Sequence, residues 1–190
     1  MSNKQTTRSL AMMGLLTALV VVLQFVSKTI RTSQFSITLS LVPIVVGAAL
    51  YGKWAGAWLG GAFGLAVLLT GDASEFLAIT APGTIITVML KGILAGFASG
   101  LVYDLIKEKN DTAATYVSGI LTPIVNTGIF ILGCFVFFLP AIKEWAAGTN
   151  ALKFILFSFV GFNFFIELAV NLILSPTIAR LIKIAKKNKV

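Results

Sequence analysis

Glu167 sits inside Phe154–Leu174, FILFSFVGFNFFIELAVNLIL, a run made almost wholly of aliphatic and aromatic residues. Asn163 precedes it by four residues and Asn171 follows by four. Four residues on a helix change direction by only about 40°, so Asn163, Glu167 and Asn171 share one stripe. A carboxylate at the centre of a spanning helix costs about 2.5–3.5 kcal/mol, and such a group normally faces a protein interior or a wet cavity. Lys91 stands in a second apolar run, about 10 Å from its outer end at 1.5 Å per residue. Thr87 shares its face, and Thr84 lies on the approach. The ammonium either snorkels outward along its stem or points inward, to hold an anion or to pair with Glu167. Asn126, in TPIVNTGIF, either makes one interhelical hydrogen bond, worth about 0.6 kcal/mol, or joins the same cavity. Asn163, nearer the outer end of its helix, is expected to touch a ligand. Asn171, nearer the inner end, is expected to bridge helices.

One Lys, one Glu and three Asn, with Thr and aromatic residues around them, suit a small polar organic molecule and not a metal. The chain has no His and a single Cys. That composition excludes an internal disulfide, most zinc and haem sites, and the Ser-His-Asp or Cys-His systems of nucleophilic catalysis. Cys134, within IFILGCFVFF, reads as a small buried or lipid-facing hydrophobe. No catalytic residues, cofactor or metal are expected. The GKW at residues 52–54 is not a phosphate loop, because the Walker spacing is absent and no strand precedes it. Any uphill transport must draw its energy from a partner or an ion gradient.

The elements that carry these residues are membrane spans. The 190 residues are 57% hydrophobic and only 12% charged, against about 25% charged in a soluble domain. Apolar segments at about 9–27, 37–51, 54–70, 84–106, 113–139 and 152–184 predict an all-α membrane protein of six transmembrane helices in a single bundle covering 1–190. Pro82-Gly83 is expected to break the chain before the fourth span, and Pro140 to close the fifth. The N-terminal apolar run continues to Phe25 without a clear cleavage site, so it reads as a retained first span.

Lys and Arg set the expected orientation. With both termini in the cytoplasm, the inner set is Lys4, Arg8, Lys53, Lys107, Lys109, Arg180, Lys183, Lys186, Lys187 and Lys189, ten against the outer four, Lys28, Arg31, Lys143 and Lys153. Basic residues flanking apolar segments are a membrane signature, so the formal charge of +8 implies no nucleic-acid partner. Two outer connections, Lys28–Ser36 and Gly71–Gly83, are long enough to cover a cavity or to be plain solvated loops. In the first span Gly14 and Ala18 form a small-xxx-small pair with Ala11 close to the same face. Such pairs let helices approach closely, either within this chain or on another membrane protein.

The stretch LSLVPIVVGAALYGKWAGAWLGGAFGLAVLL, residues 39–69, and LKGILAGFASGLVYDL in the fourth span carry a family resemblance. With the chain length, the six spans and the basic C-terminal tail, they resemble the substrate-binding S component of energy-coupling factor (ECF) vitamin transporters. The matching positions are Pro43, Gly47, Tyr51-Gly52, Gly56 and Gly60. The resemblance implies a subunit of the bacterial plasma membrane that captures a vitamin or related micronutrient from outside. It also implies docking on a module of one transmembrane coupling protein and two ATPases. The family's small-residue stripe in span one contacts the coupling protein, and Gly14 and Ala18 match it, with Gly14 replacing an Ala and Ala11 close to the same face.

Family members hold substrate in the outer half of the membrane, which makes Glu167 a pocket floor or a partner orienting Lys91. VNTGIFILG and GFNFFIELAVN resemble a pantothenate-type branch, on a scaffold that folate and riboflavin binders share. A cationic Lys91 suits a carboxylate. The alternative is a self-sufficient proton-coupled carrier with Glu167 as its titrating group.

Overall fold

The computed structural model describes residues 3–30 and 38–187, and every regular element among them is helical. In chain order these are α1 (Asn3–Ile30), α2 (Leu41–Tyr51), α3 (Lys53–Leu69), α4 (Ser74–Ile79), α5 (Ala81–Ile106), α6 (Asp111–Phe137), α7 (Leu139–Trp145), α8 (Ala151–Phe154), a π-helical turn at Ile155–Val160, and α9 (Gly161–Lys187). Four stretches, Thr7–Ile30, Ala81–Ile106, Asp111–Phe137 and Phe164–Ile184, are long and apolar enough to cross a bilayer. The helices α2 and α3, with 11 and 17 residues, are apolar but shorter.

The first span is longer than its apolar core suggested. Lys28 belongs to α1, and residues 31–37, which include the rest of the expected outer connection and the first residue of the expected second span, lie outside the described residues. The expected break at Pro82-Gly83 is absent. Pro82 falls in the first turn of α5, where a missing N–H breaks no helical bond. Pro140 likewise opens α7 instead of closing the fifth span. The helix α6 starts under an Asn110 cap, with Ala113 N donating to Asn110 Oδ1 at 2.9 Å. The second of the expected outer connections, Gly71–Gly83, contains α4. The sixth apolar segment is not one α-helix but α8, the π turn and α9. Asn163, Glu167 and Asn171 all follow the π turn and belong to α9, where Glu167 and Asn171 keep their spacing of four.

Glycines set the tightest packing. Gly56 and Gly60 on α3 lie against Gly96 and Gly92 on α5, and the spacing of four on both helices keeps the antiparallel pairs in register. A Cβ at Gly60 would stand 2.0 Å from the Gly92 carbonyl oxygen, and one at Gly96 would stand 2.0 Å from that of Gly56. Backbone meets backbone here, as small residues allow between membrane helices. Gly52, at φ 88°, makes the abrupt turn between α2 and α3 that a residue with a Cβ would resist.

The helix α1 has two faces. Leu16, Val20, Gln24 and Ser27 are buried against the bundle. The C-terminal end of α1 is stitched down by polar bonds. Lys28 Nζ donates to the carbonyl of Thr70, one of the carbonyls left open at the end of α3. Gln24 Nε2 donates to Asp72 Oδ2 at 3.2 Å. At the start of α2, Leu39 N donates to Ser27 Oγ at 3.2 Å, and Ser40 Oγ donates to the Val20 carbonyl at 3.0 Å.

Candidate functional site

Three helices bring rings and charge to Lys91. Its ammonium lies 5.6 Å from the ring centre of Phe63 on α3 and 5.6 Å from that of Phe130 on α6. Each contact is within cation–π range, worth about 0.5–1 kcal/mol when exposed and about 2 when desolvated. The half-buried side chain is therefore held between helices instead of snorkelling along lipid. It also lies within electrostatic reach of Glu167 and of the buried Cys134.

Side-chain contacts fix the registers. Thr87 of α5 packs against Gly133 of α6, Lys91 against Phe130, and Ser118 Oγ donates to the Ser99 carbonyl at 3.0 Å. Gly119 of α6 faces Ser175 and the Asn171 carbonyl of α9. Asn126 is about two turns along α6 from Gly119, toward Phe130, and Glu167 is about two turns back along α9 from Ser175. Asn126 and Glu167 thus share a level, about one turn from Phe130.

Glu167 is 7% exposed and accepts a hydrogen bond from the Thr38 hydroxyl. Asn171, fully buried, donates through Nδ2 to the Glu167 carbonyl at 2.9 Å, a bond within α9. Three buried acceptors or hydroxyls of the expected site, Thr87 Oγ1, Asn126 Oδ1 and Asn171 Oδ1, have no hydrogen-bond partner among the described residues. An orphaned buried polar atom costs about 1–3 kcal/mol, so these atoms are disposed to meet a polar ligand or water. The Asn163 side chain lies outside the described residues. Among those described, no three His, Cys, Asp or Glu side chains cluster to hold a metal.

Thr38, Phe63 and Phe130 escaped the sequence reading. An aromatic residue in an aromatic-rich span carries no signal of its own. Thr38 stands at the start of the second apolar segment, and spacing cannot link it to a residue on the last helix.

The small residues of span one face away from the bundle. Ala11, Gly14 and Ala18 are exposed, and a Cβ at Gly14 would meet nothing within 4 Å. The stripe therefore does not pack against the described part of this chain. Gly14 and Ala18 line an apolar groove of about 760 Å³ with Leu10, Met13, Thr17 and the exposed Trp58. The Trp58 Nε1 donates to Thr17 Oγ1 at 3.2 Å across that groove.

The helices define a multi-pass membrane protein, and the polar atoms among them suit a small molecule. The family description "ECF transporter, substrate-specific component" matches residues 8–179, and the chain belongs to that family. Membership gives it the role of a substrate-binding component with a small-molecule substrate and an ECF module as partner. This is a transporter family, not an enzyme family, and membership does not favour the self-sufficient carrier. No curated protein matches the chain, and no solved structure matches it.

Proposed function

We propose that this chain captures a vitamin or related micronutrient from outside the cell, pantothenate being the preferred candidate. In this reading all six apolar segments cross the bacterial plasma membrane as one domain, with both termini in the cytoplasm. The Lys and Arg distribution supports that orientation. The short helices α2 and α3 complete the crossing beside longer neighbours. The partner module comprises a transmembrane coupling protein and two ATPases, reached through Ala11, Gly14 and Ala18.

One observation carries the choice of ligand: a cation held between two aromatic rings, with the unpartnered oxygens of Thr87 and Asn126 on the same helix pair. Pantothenate presents a carboxylate, an amide, two hydroxyls and a dimethyl carbon. The Lys91 ammonium takes the carboxylate. Thr87, Asn126 and Asn163 take the hydroxyls and amide, and the rings cover the methyl groups. Glu167 and Asn171 form the floor, where the Thr38 bond holds the Glu167 carboxyl in place.

Lys91→Met keeps the stem and removes the charge. Losing one partner of a desolvated charge contact costs about 2–5 kcal/mol, so pantothenate affinity of the purified chain should fall about 30-fold or more by titration calorimetry. Unchanged affinity would remove Lys91 from the site. Tight binding of a cationic vitamin in place of pantothenate would overturn the substrate assignment.

A further inference from the structure

Phe76, on the short helix α4, is the centre of an aromatic cluster at the outer end of the bundle. Its ring stands edge-on to Phe130, with centroids 5.5 Å apart and planes at 89°. It tilts against the buried Phe138 at 4.9 Å and meets Trp145 of α7 edge-on at 6.0 Å. Phe130 is also one of the two rings beneath the Lys91 ammonium. A line of contacts therefore joins Lys91, Phe130, Phe76 and Trp145. The attraction between a cation and a ring acts over the ring face. Any rotation of Phe130 would loosen its hold on Lys91, and Phe76 opposes that rotation with an edge-to-face contact that aromatic quadrupoles favour.

We propose that Phe76 is a positioning residue: by fixing the Phe130 ring it sets where the Lys91 ammonium stands, and so the affinity of the site for an anionic group. The inference rests on the reading of Lys91 as the anion anchor. A Phe76 that only filled space would be replaced well by leucine. The test uses the purified full chain. Pantothenate is titrated into Phe76→Leu, which removes the ring, and into Phe76→Tyr, which keeps it. Phe76→Leu should weaken binding about 3- to 10-fold, and Phe76→Tyr should stay within about twofold of the parent. Thermal midpoints without ligand are then compared for Phe76→Leu, Lys91→Met and the double variant. The double variant should shift by less than the sum of the single shifts, as expected for residues that share a partner. Parent-like affinity in Phe76→Leu, or additive midpoint shifts, would overturn the proposal. If pantothenate fails to bind the parent chain, the substrate reading falls, and the ligand-free comparison alone decides: non-additive shifts uphold the positioning role and additive shifts overturn it.

Discussion

Gly60→Ala should lower the thermal midpoint by about 6–12 °C, and Gly60→Leu should leave no folded protein in detergent extracts. The new Cβ would fall 2.0 Å from the Gly92 oxygen and 2.5 Å from its carbonyl carbon. Neither atom belongs to a flexible side chain, so one helix must move off the other. Overpacking that displaces backbone costs about 3 kcal/mol at the upper end of the usual range. A protein of this size loses about 2–4 °C per kcal/mol. Leucine would also force apart the second glycine pair, Gly56 and Gly96, one turn along the same seam. The control is the neighbouring Gly61→Ala, whose Cβ would meet only Ile93 Cγ1 at an ordinary 3.6 Å. Gly61→Ala should melt with the parent, and equal melting of all the variants would deny the close approach of α3 and α5.

Ala18→Trp should abolish uptake while leaving the isolated chain folded and able to bind. The buried stripe of α1, Leu16, Val20, Gln24 and Ser27, points away from Ala18. An indole at Ala18 therefore enters the groove shared with Trp58 and Thr17 and not the bundle core. If the coupling protein packs a helix into that groove, small residues are what let it approach, and an indole would hold it off. In cells carrying the ECF module, pantothenate uptake should drop to background and the module should no longer co-purify. Pantothenate affinity and the thermal midpoint of the isolated chain should stay at parent values. Loss of binding together with uptake would mean instead that this face supports the pocket.

The apolar runs announced the helices because lipid-length stretches with few charges have little else to be. Proline misled the boundaries twice. Pro82 and Pro140 both stop and start helices in principle, and spacing alone cannot say which. The π turn at Ile155–Val160 was invisible, because an extra residue in a uniformly apolar run leaves the hydropathy unchanged. Glu167 and Lys91 were conspicuous for the opposite reason: each is a charge where charge is costly. Their surroundings were not legible. The rings beneath Lys91 come from helices far apart in sequence, and Thr38 reaches Glu167 across 129 positions. The outward face of Gly14 and Ala18 also needed the structure, since a small-residue stripe serves packing within a chain as well as docking outside it.

The central claim is that this chain alone holds one small molecule for delivery to a separate module. Native mass spectrometry of the purified chain, released from detergent after incubation with pantothenate and washing, tests it most directly. The expected spectrum shows a one-to-one adduct of pantothenate mass that is lost in Lys91→Met. A parent chain that carries no small molecule, after incubation with pantothenate or with any other B vitamin, would contradict the claim.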